Sequence, residues 1–94
     1  MKQTNIHPGK VLAREFLTKN NLNIQQLAQS IKVSEQHLAE ICAGTMDLDV
    51  EVAYRLSFYF QNDIEFWLDL QRDYDLNYYS ESLINIRKEI RPLC

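Results

Sequence analysis

Apolar positions recur along this chain with the period of a helix. Ile24, Leu27, Ala28 and Ile31 fall at i, i+3, i+4 and i+7, the spacing of one buried helical face. Lys32-Val33-Ser34 interrupts that period, and a second stripe follows at Leu38, Ile41 and Cys42. Asn23 precedes the first stripe, with Gln26 at the position of a capping-box partner. Ser34 precedes the second, where its oxygen can accept from an orphan backbone N–H. Gly44 supplies the left-handed residue that closes a helix. Two short helices joined by a three-residue turn, with Ala28 and Ala39 near their contact, have the sequence form of a helix-turn-helix.

The pattern continues on both sides. His7-Pro8-Gly9 opens a first helix, because proline is tolerated in a first turn whose N–H would be unpaired anyway. Val11, Leu12, Phe16 and Leu17 give that helix its apolar face; Lys19-Asn20-Asn21 ends it and Leu22 anchors the turn. Residues 1–5 are polar and read as a frayed start. Thr45 to Leu48 reads as a loop. Asp49 caps a fourth helix bearing Ala53, Leu56 and Phe60, and Gln61-Asn62 breaks it. Asp63 caps a fifth, DIEFWLDLQRDYDL, with Ile64, Trp67 and Leu68 on one face and Phe66, Leu70 and Tyr74 on the next. So wide an apolar arc suits either a central helix or one that also meets a partner. A sixth helix runs from Asn77 to about Glu89, with Tyr79, Leu83, Ile86 and Ile90 as its stripe, and Arg91-Pro92 stops it. The expected fold is all-α, a helix-turn-helix bundle of five to six helices forming one domain over residues 1–94.

Composition narrows the class. With 46% hydrophobic residues, two glycines and two prolines in 94 residues, the chain reads as globular and helical. No apolar run approaches the roughly 18 residues of a membrane span, and no stretch resembles a signal peptide, so a cytoplasmic protein is expected. Cys42 on an apolar stripe and Cys94 at the end fit a reducing compartment and do not suggest a disulfide.

Net charge is −3, but it is unevenly placed. Residues 1–46 carry five basic and three acidic side chains, and residues 47–94 carry five basic and ten acidic ones. The helix-turn-helix therefore sits in the basic half, and the acidic half offers a surface to a basic protein partner.

Catalytic chemistry has no foothold in the pattern. His7 and His37 lack a sequence partner that suggests a triad. His37 and Cys42 are five apart, off a shared helical face, and two ligands make no zinc site. There is no phosphate-cradling glycine loop. Asp69, Asp73 and Asp75 read as a solvated face. An enzyme is not expected, and neither a metal nor another cofactor is implied.

The residues resemble a known family. Ile6-His7-Pro8-Gly9-Lys10-Val11-Leu12 and Glu15-Phe16-Leu17 are similar to the opening of HigA-type antitoxins, also seen as VapI-like proteins. These belong to the Xre/lambda-repressor-like helix-turn-helix proteins. Ala53-Tyr54-Arg55-Leu56, Glu65-Phe66-Trp67-Leu68-Asp69-Leu70-Gln71, Tyr74-Asp75-Leu76 and Ile90-Arg91-Pro92-Leu93 extend the likeness to nearly the whole chain. The resemblance implies a lambda-repressor-like fold and a sequence-specific repressor acting as antitoxin of a type II toxin–antitoxin module. Such a protein forms a homodimer, binds double-stranded operator DNA upstream of its own operon, and neutralises a RelE-like ribonuclease toxin.

Departures from the family's pattern lie on the reading surface. Relatives often begin the recognition helix with arginines, whereas this chain has Ser34-Glu35-Gln36-His37; the following loop, often basic, is Thr45-Met46. Ile24 replaces a usual glutamine, with Gln25 and Gln26 after it, and Lys32 replaces a usual glycine of the turn. Glutamine can pair with adenine and glutamate can accept from cytosine N4. The expected DNA-binding set is thus Gln25, Lys32, Ser34, Glu35, Gln36, His37 and Thr45. The expected dimer contacts are Phe66, Trp67, Leu70 and Tyr74. Few cations imply weak binding and a shallow salt slope, offset by dimerisation. Two alternatives stay open: a solitary Xre-type regulator without a toxin, and a protein-binding module whose DNA affinity has decayed.

Overall fold

The computed structural model describes residues 6–93, so the expectations for residues 1–5 and for Cys94 lie outside it. Among the described residues there are six helices and no strand. Helix α1 (Pro8–Val11) continues without a break into a π-helical segment, Leu12–Leu17. It is followed by α2 (Ile24–Ile31), α3 (Glu35–Ala43), α4 (Val50–Phe60), α5 (Ile64–Tyr78) and α6 (Ser80–Glu89). No helix is long and apolar enough to cross a membrane among the described residues.

The capping chemistry forms at the expected places. Asn23 Oδ1 accepts from the Gln26 N–H at 2.8 Å while Gln26 Oε1 accepts from the Asn23 N–H at 2.9 Å, a complete capping box. Ser34 Oγ accepts from the His37 N–H, and Asp49 Oδ1 from the Val52 N–H. Four helical segments close in one way. At Asn21, Lys32, Gly44 and Gln61 the backbone turns left-handed, and the next residue donates back five positions. This satisfies carbonyls that the end of a helix leaves orphaned.

The core is one cluster. Leu12 and Leu17 of the first helix meet Leu27 and Ile31 of α2, Leu38 and Ile41 of α3, Leu56 of α4 and Trp67 of α5. Phe16 lies 4.8 Å, ring to ring, from both Phe60 and Trp67 and closes the cluster between α4 and α5. Gly9 lets α1 reach the backbone of α3, since a Cβ there would overlap the Ile41 carbonyl.

Three details differ from the sequence reading. Asp63 stands at the start of α5 but makes no side-chain cap; its backbone carbonyl accepts from the Phe66 N–H instead. Asn77 belongs to α5, not α6: the helical hydrogen bonds run on until Tyr79, where the backbone leaves helical geometry. The π-helical widening of the first helix had no sequence signal; there the Thr18 N–H donates to the carbonyl of Ala13, five residues back.

Helix α6 stands apart, with none of its residues buried. The radius of gyration is 15.7 Å, against roughly 12 Å for a compact chain of this length. The long axis is 51 Å and the other two are 25 and 23 Å.

Candidate nucleic-acid interface

Helices α2 and α3 pack against each other through Leu27, Ala28 and Ile31 on one side and Leu38, Ile41 and Cys42 on the other. Burial pushes the Cys42 thiol pKa up, as expected of a core residue. With those faces turned inward, Glu35 and Gln36 are exposed on α3, and Gln25 is exposed in the first turn of α2. This is the arrangement in which a second helix can enter a major groove while the first crosses the backbone.

The turn between them is built on Lys32, which adopts φ 62° and ψ 45°. That conformation costs a side-chain-bearing residue about 1–2 kcal/mol. Lys32 is nonetheless exposed, and it is the only lysine or arginine between Ile24 and Thr45. Its ammonium can neutralise one phosphate. A residue not singled out from the sequence supports this turn from behind. Arg55 Nη1 donates to the Ile31 carbonyl at 3.0 Å, while its Nε and Nη2 hold Glu51. The arginine caps α2 from α4 and fixes the residue immediately before Lys32.

Other expected DNA contacts are partly engaged within the chain. Ser34 uses an oxygen lone pair to cap α3, which leaves its O–H free to donate. Gln36 Nε2 reaches toward Glu40 Oε2 at 3.4 Å, a long bond that a base edge can replace. His37 is half-buried with Nε2 3.9 Å from Asp49 Oδ1, so it faces the start of α4. The Thr45 hydroxyl donates to the Glu40 carbonyl at 3.1 Å and helps close α3. Lys10 was also missed: its Cε and the His7 ring lie over Gly44, which sets a second cation beside the end of the recognition helix.

The run around Gln71 ties α5 to the loop after α3. Gln71 is buried; its Oε1 accepts from the Leu48 N–H at 2.7 Å, and its Nε2 donates to Asp75 Oδ1 at 2.9 Å and Asp47 Oδ1 at 3.3 Å. It clamps the loop after α3 onto α5. Tyr74 packs edge-on against His7, ring centroids 4.9 Å apart. His7 Nδ1 accepts from the Gly9 N–H and so caps α1. Its Nε2 has no hydrogen-bond partner among the described residues, although the Met46 carbonyl is near enough to favour a proton on the ring. Burial lowers the His7 pKa; Asp47 and Asp75 oppose that only in part.

Of the expected dimer contacts, Trp67 must be withdrawn. It is 0% exposed and its indole N–H donates to Asn62 Oδ1 at 3.0 Å, so it offers no surface to a partner. Leu70 and Tyr74 are half-buried, and Phe66 is exposed. The larger apolar surfaces lie elsewhere. Val50, Tyr54 and Phe58 line the outer face of α4 at 63, 62 and 72% exposure, and α6 exposes Leu83, Ile84 and Ile86.

A helix-turn-helix family model matches residues 14–67. The chain is 37% identical over 71 residues to virulence-associated protein I of Dichelobacter nodosus, an alignment spanning 76% of this chain and 66% of that protein. It thus spans just under two thirds of the length of that relative. Among solved structures, the Pseudomonas aeruginosa antitoxin HigA with higBA promoter superposes with a TM-score of 0.86 at 34% identity, covering 97% of this chain and 100% of that one. A HigA-family addiction module antidote protein from Coxiella burnetii gives 0.84 at 32% identity, covering 98% of this chain and 99% of that one.

Proposed function

Because this chain belongs to the helix-turn-helix family of DNA-binding regulators, we propose that it is an antitoxin-type repressor of the HigA kind. In this reading it is cytoplasmic, acts as a homodimer, holds the operator of its own operon, and neutralises a RelE-like toxin encoded beside it. One observation carries the proposal. The likeness to HigA extends through α5 and α6, beyond the matched helix-turn-helix, over 97% of this chain.

Lys32, Lys10, Gln25 and Thr45 position the DNA backbone; Ser34, Glu35 and Gln36 read bases, and His37 borders them. The recognition helix carries no lysine or arginine. Each cation lost removes about one released counterion, so affinity per half-site is low and two half-sites must act together. The same shortage favours, as a second reading, a protein whose main task is to bind its partner protein.

Fluorescence anisotropy against the DNA upstream of its gene, with a scrambled duplex and two salt concentrations, tests the repressor. Selective binding with a shallow salt dependence is expected, and Gln36→Ala should relax selectivity at one base position. Binding no tighter than to the scrambled duplex, together with tight capture of the neighbouring toxin, would leave the partner-binding reading standing.

A further inference from the structure

Helix α3 turns Leu38, Ile41 and Cys42 into the core. At about 100° per residue, Gln36, Glu40 and Ala43 lie within about 40° of the line pointing directly away from that stripe. Gln36 and Ala43 are exposed and Glu40 is half-buried beside them. Glu40, a residue not singled out from the sequence, is thus central on the outward face, whereas Glu35 lies on its flank. No ion pair among the described residues involves either glutamate. The Glu40 carboxylate accepts one hydrogen bond, from Gln36 Nε2 at 3.4 Å.

A carboxylate carried between two phosphate backbones is repelled unless a donor meets it. In the major groove only two base groups donate, cytosine N4 and adenine N6; guanine presents N7 and O6, both acceptors. Gln36 obeys the same rule. While its Nε2 donates to Glu40, only Oε1 is free, and that oxygen accepts from an amino group. When Nε2 turns instead to the N7 of adenine, Oε1 takes the N6 of that adenine, and Glu40 is left to accept from the neighbouring base. Ala43 completes the line with a methyl group, which suits the methyl of a thymine paired with adenine. The outward face of α3 therefore offers acceptors and a methyl, with no lysine or arginine to hold guanine.

We propose that Glu40 is a specificity-determining residue through which α3 selects an amino-bearing base, cytosine or adenine, and rejects guanine at the position it faces. This rests on the DNA-binding reading of the proposed function and names the base edges that reading takes. The same charge has a second effect. On a wrong sequence the carboxylate stays unmatched among phosphates, so Glu40 weakens non-specific binding more than specific binding. Discrimination then comes from penalising the wrong site as well as from contacts to the right one. A reading helix without cations gains in selectivity what it forgoes in affinity.

Enrichment from a pool of randomised duplexes tests this, with the full chain as wild type, Glu40→Gln and Glu40→Ala, followed by anisotropy on the enriched and a scrambled duplex. The wild type is expected to enrich cytosine or adenine at one position of each half-site. Both variants should lose that preference, and their ratio of enriched to scrambled affinity should fall about tenfold, in part because the scrambled duplex binds more tightly. Glu65→Gln, exposed in the first turn of α5, removes the same charge outside the helix-turn-helix and should leave the ratio unchanged. Circular dichroism shows that each variant keeps its helices. Base preferences and ratios equal in the wild type and both Glu40 variants overturn the role of Glu40 and leave the repressor standing, as does an equal fall with Glu65→Gln. Enrichment of guanine at the position that Glu40 controls overturns the selection of amino groups. A wild type that enriches nothing overturns the DNA-binding reading and this inference with it.

Discussion

Gly9 and Ile41 meet backbone to backbone: the Cα of Gly9 lies so close to the Ile41 carbonyl that no side-chain carbon fits between them. This contact sets α1 across the C-terminal half of the recognition helix. Gly9→Ala should therefore push the two helices apart. Overpacking against rigid backbone costs about 3 kcal/mol, at the upper end of its usual range, so the thermal midpoint should fall by roughly 12–24 °C. Calorimetry of the variant checks this, and an unchanged midpoint would mean that α1 can shift freely over α3.

His7 gives the fold a pH dependence whose sign follows from its environment. Its folded pKa lies below the ordinary value of 6.5 because the ring is buried. The unfolded chain thus binds the proton more readily. The stabilisation is complete above the unfolded pKa and is lost as pH falls through the depressed folded value. Urea midpoints measured downward from pH 7.5 should decline once pH passes below about 6.5. His7→Asn keeps an acceptor at the cap and should flatten that decline.

Lys32 carries two opposed duties. As a left-handed residue it strains the turn, so Lys32→Gly should raise stability by about 1 kcal/mol. As the one lysine on the helix-turn-helix it is placed to meet a phosphate. The same variant should bind operator DNA more weakly, with its salt slope reduced by about one. Denaturation and anisotropy on one preparation separate the two effects; a loss in both would mean that Lys32 stabilises the turn by contacts its conformation does not reveal.

Gln71 joins α5 to the loop behind the recognition helix through two hydrogen bonds, accepting from the Leu48 N–H and donating to Asp47. Gln71→Ala leaves the buried Leu48 N–H without its acceptor and should cost about 2–3 kcal/mol. Amide exchange at Leu48 should accelerate more than at Leu56, which stays in the core. Equal acceleration at both sites would point to global loosening and not to release of the loop.

Much of the architecture was legible because helices announce themselves locally. Period, caps and left-handed closures depend on residues within one or two turns of each other. Ile24 to Gly44 could thus be read as two helices and a turn, with Gly44 left-handed, before any contact was known. The likeness to HigA-type antitoxins was legible for a similar reason, being carried by short runs such as His7-Pro8-Gly9 and Glu65 to Leu76. What each run does was not. His7 and Tyr74 lie far apart in sequence and meet only where α1 and α5 converge, as do Gly9 and Ile41 between α1 and α3, and Gln71 and Leu48 between α5 and the loop after α3. Arg55 caps a carbonyl 24 positions away. An apolar arc on α5 looks the same in sequence whether it faces a core or a partner; Phe16 and Phe60 closing over Trp67 decided for the core. Periodicity fixes which residues share a face, while the packing of the other helices determines what that face meets.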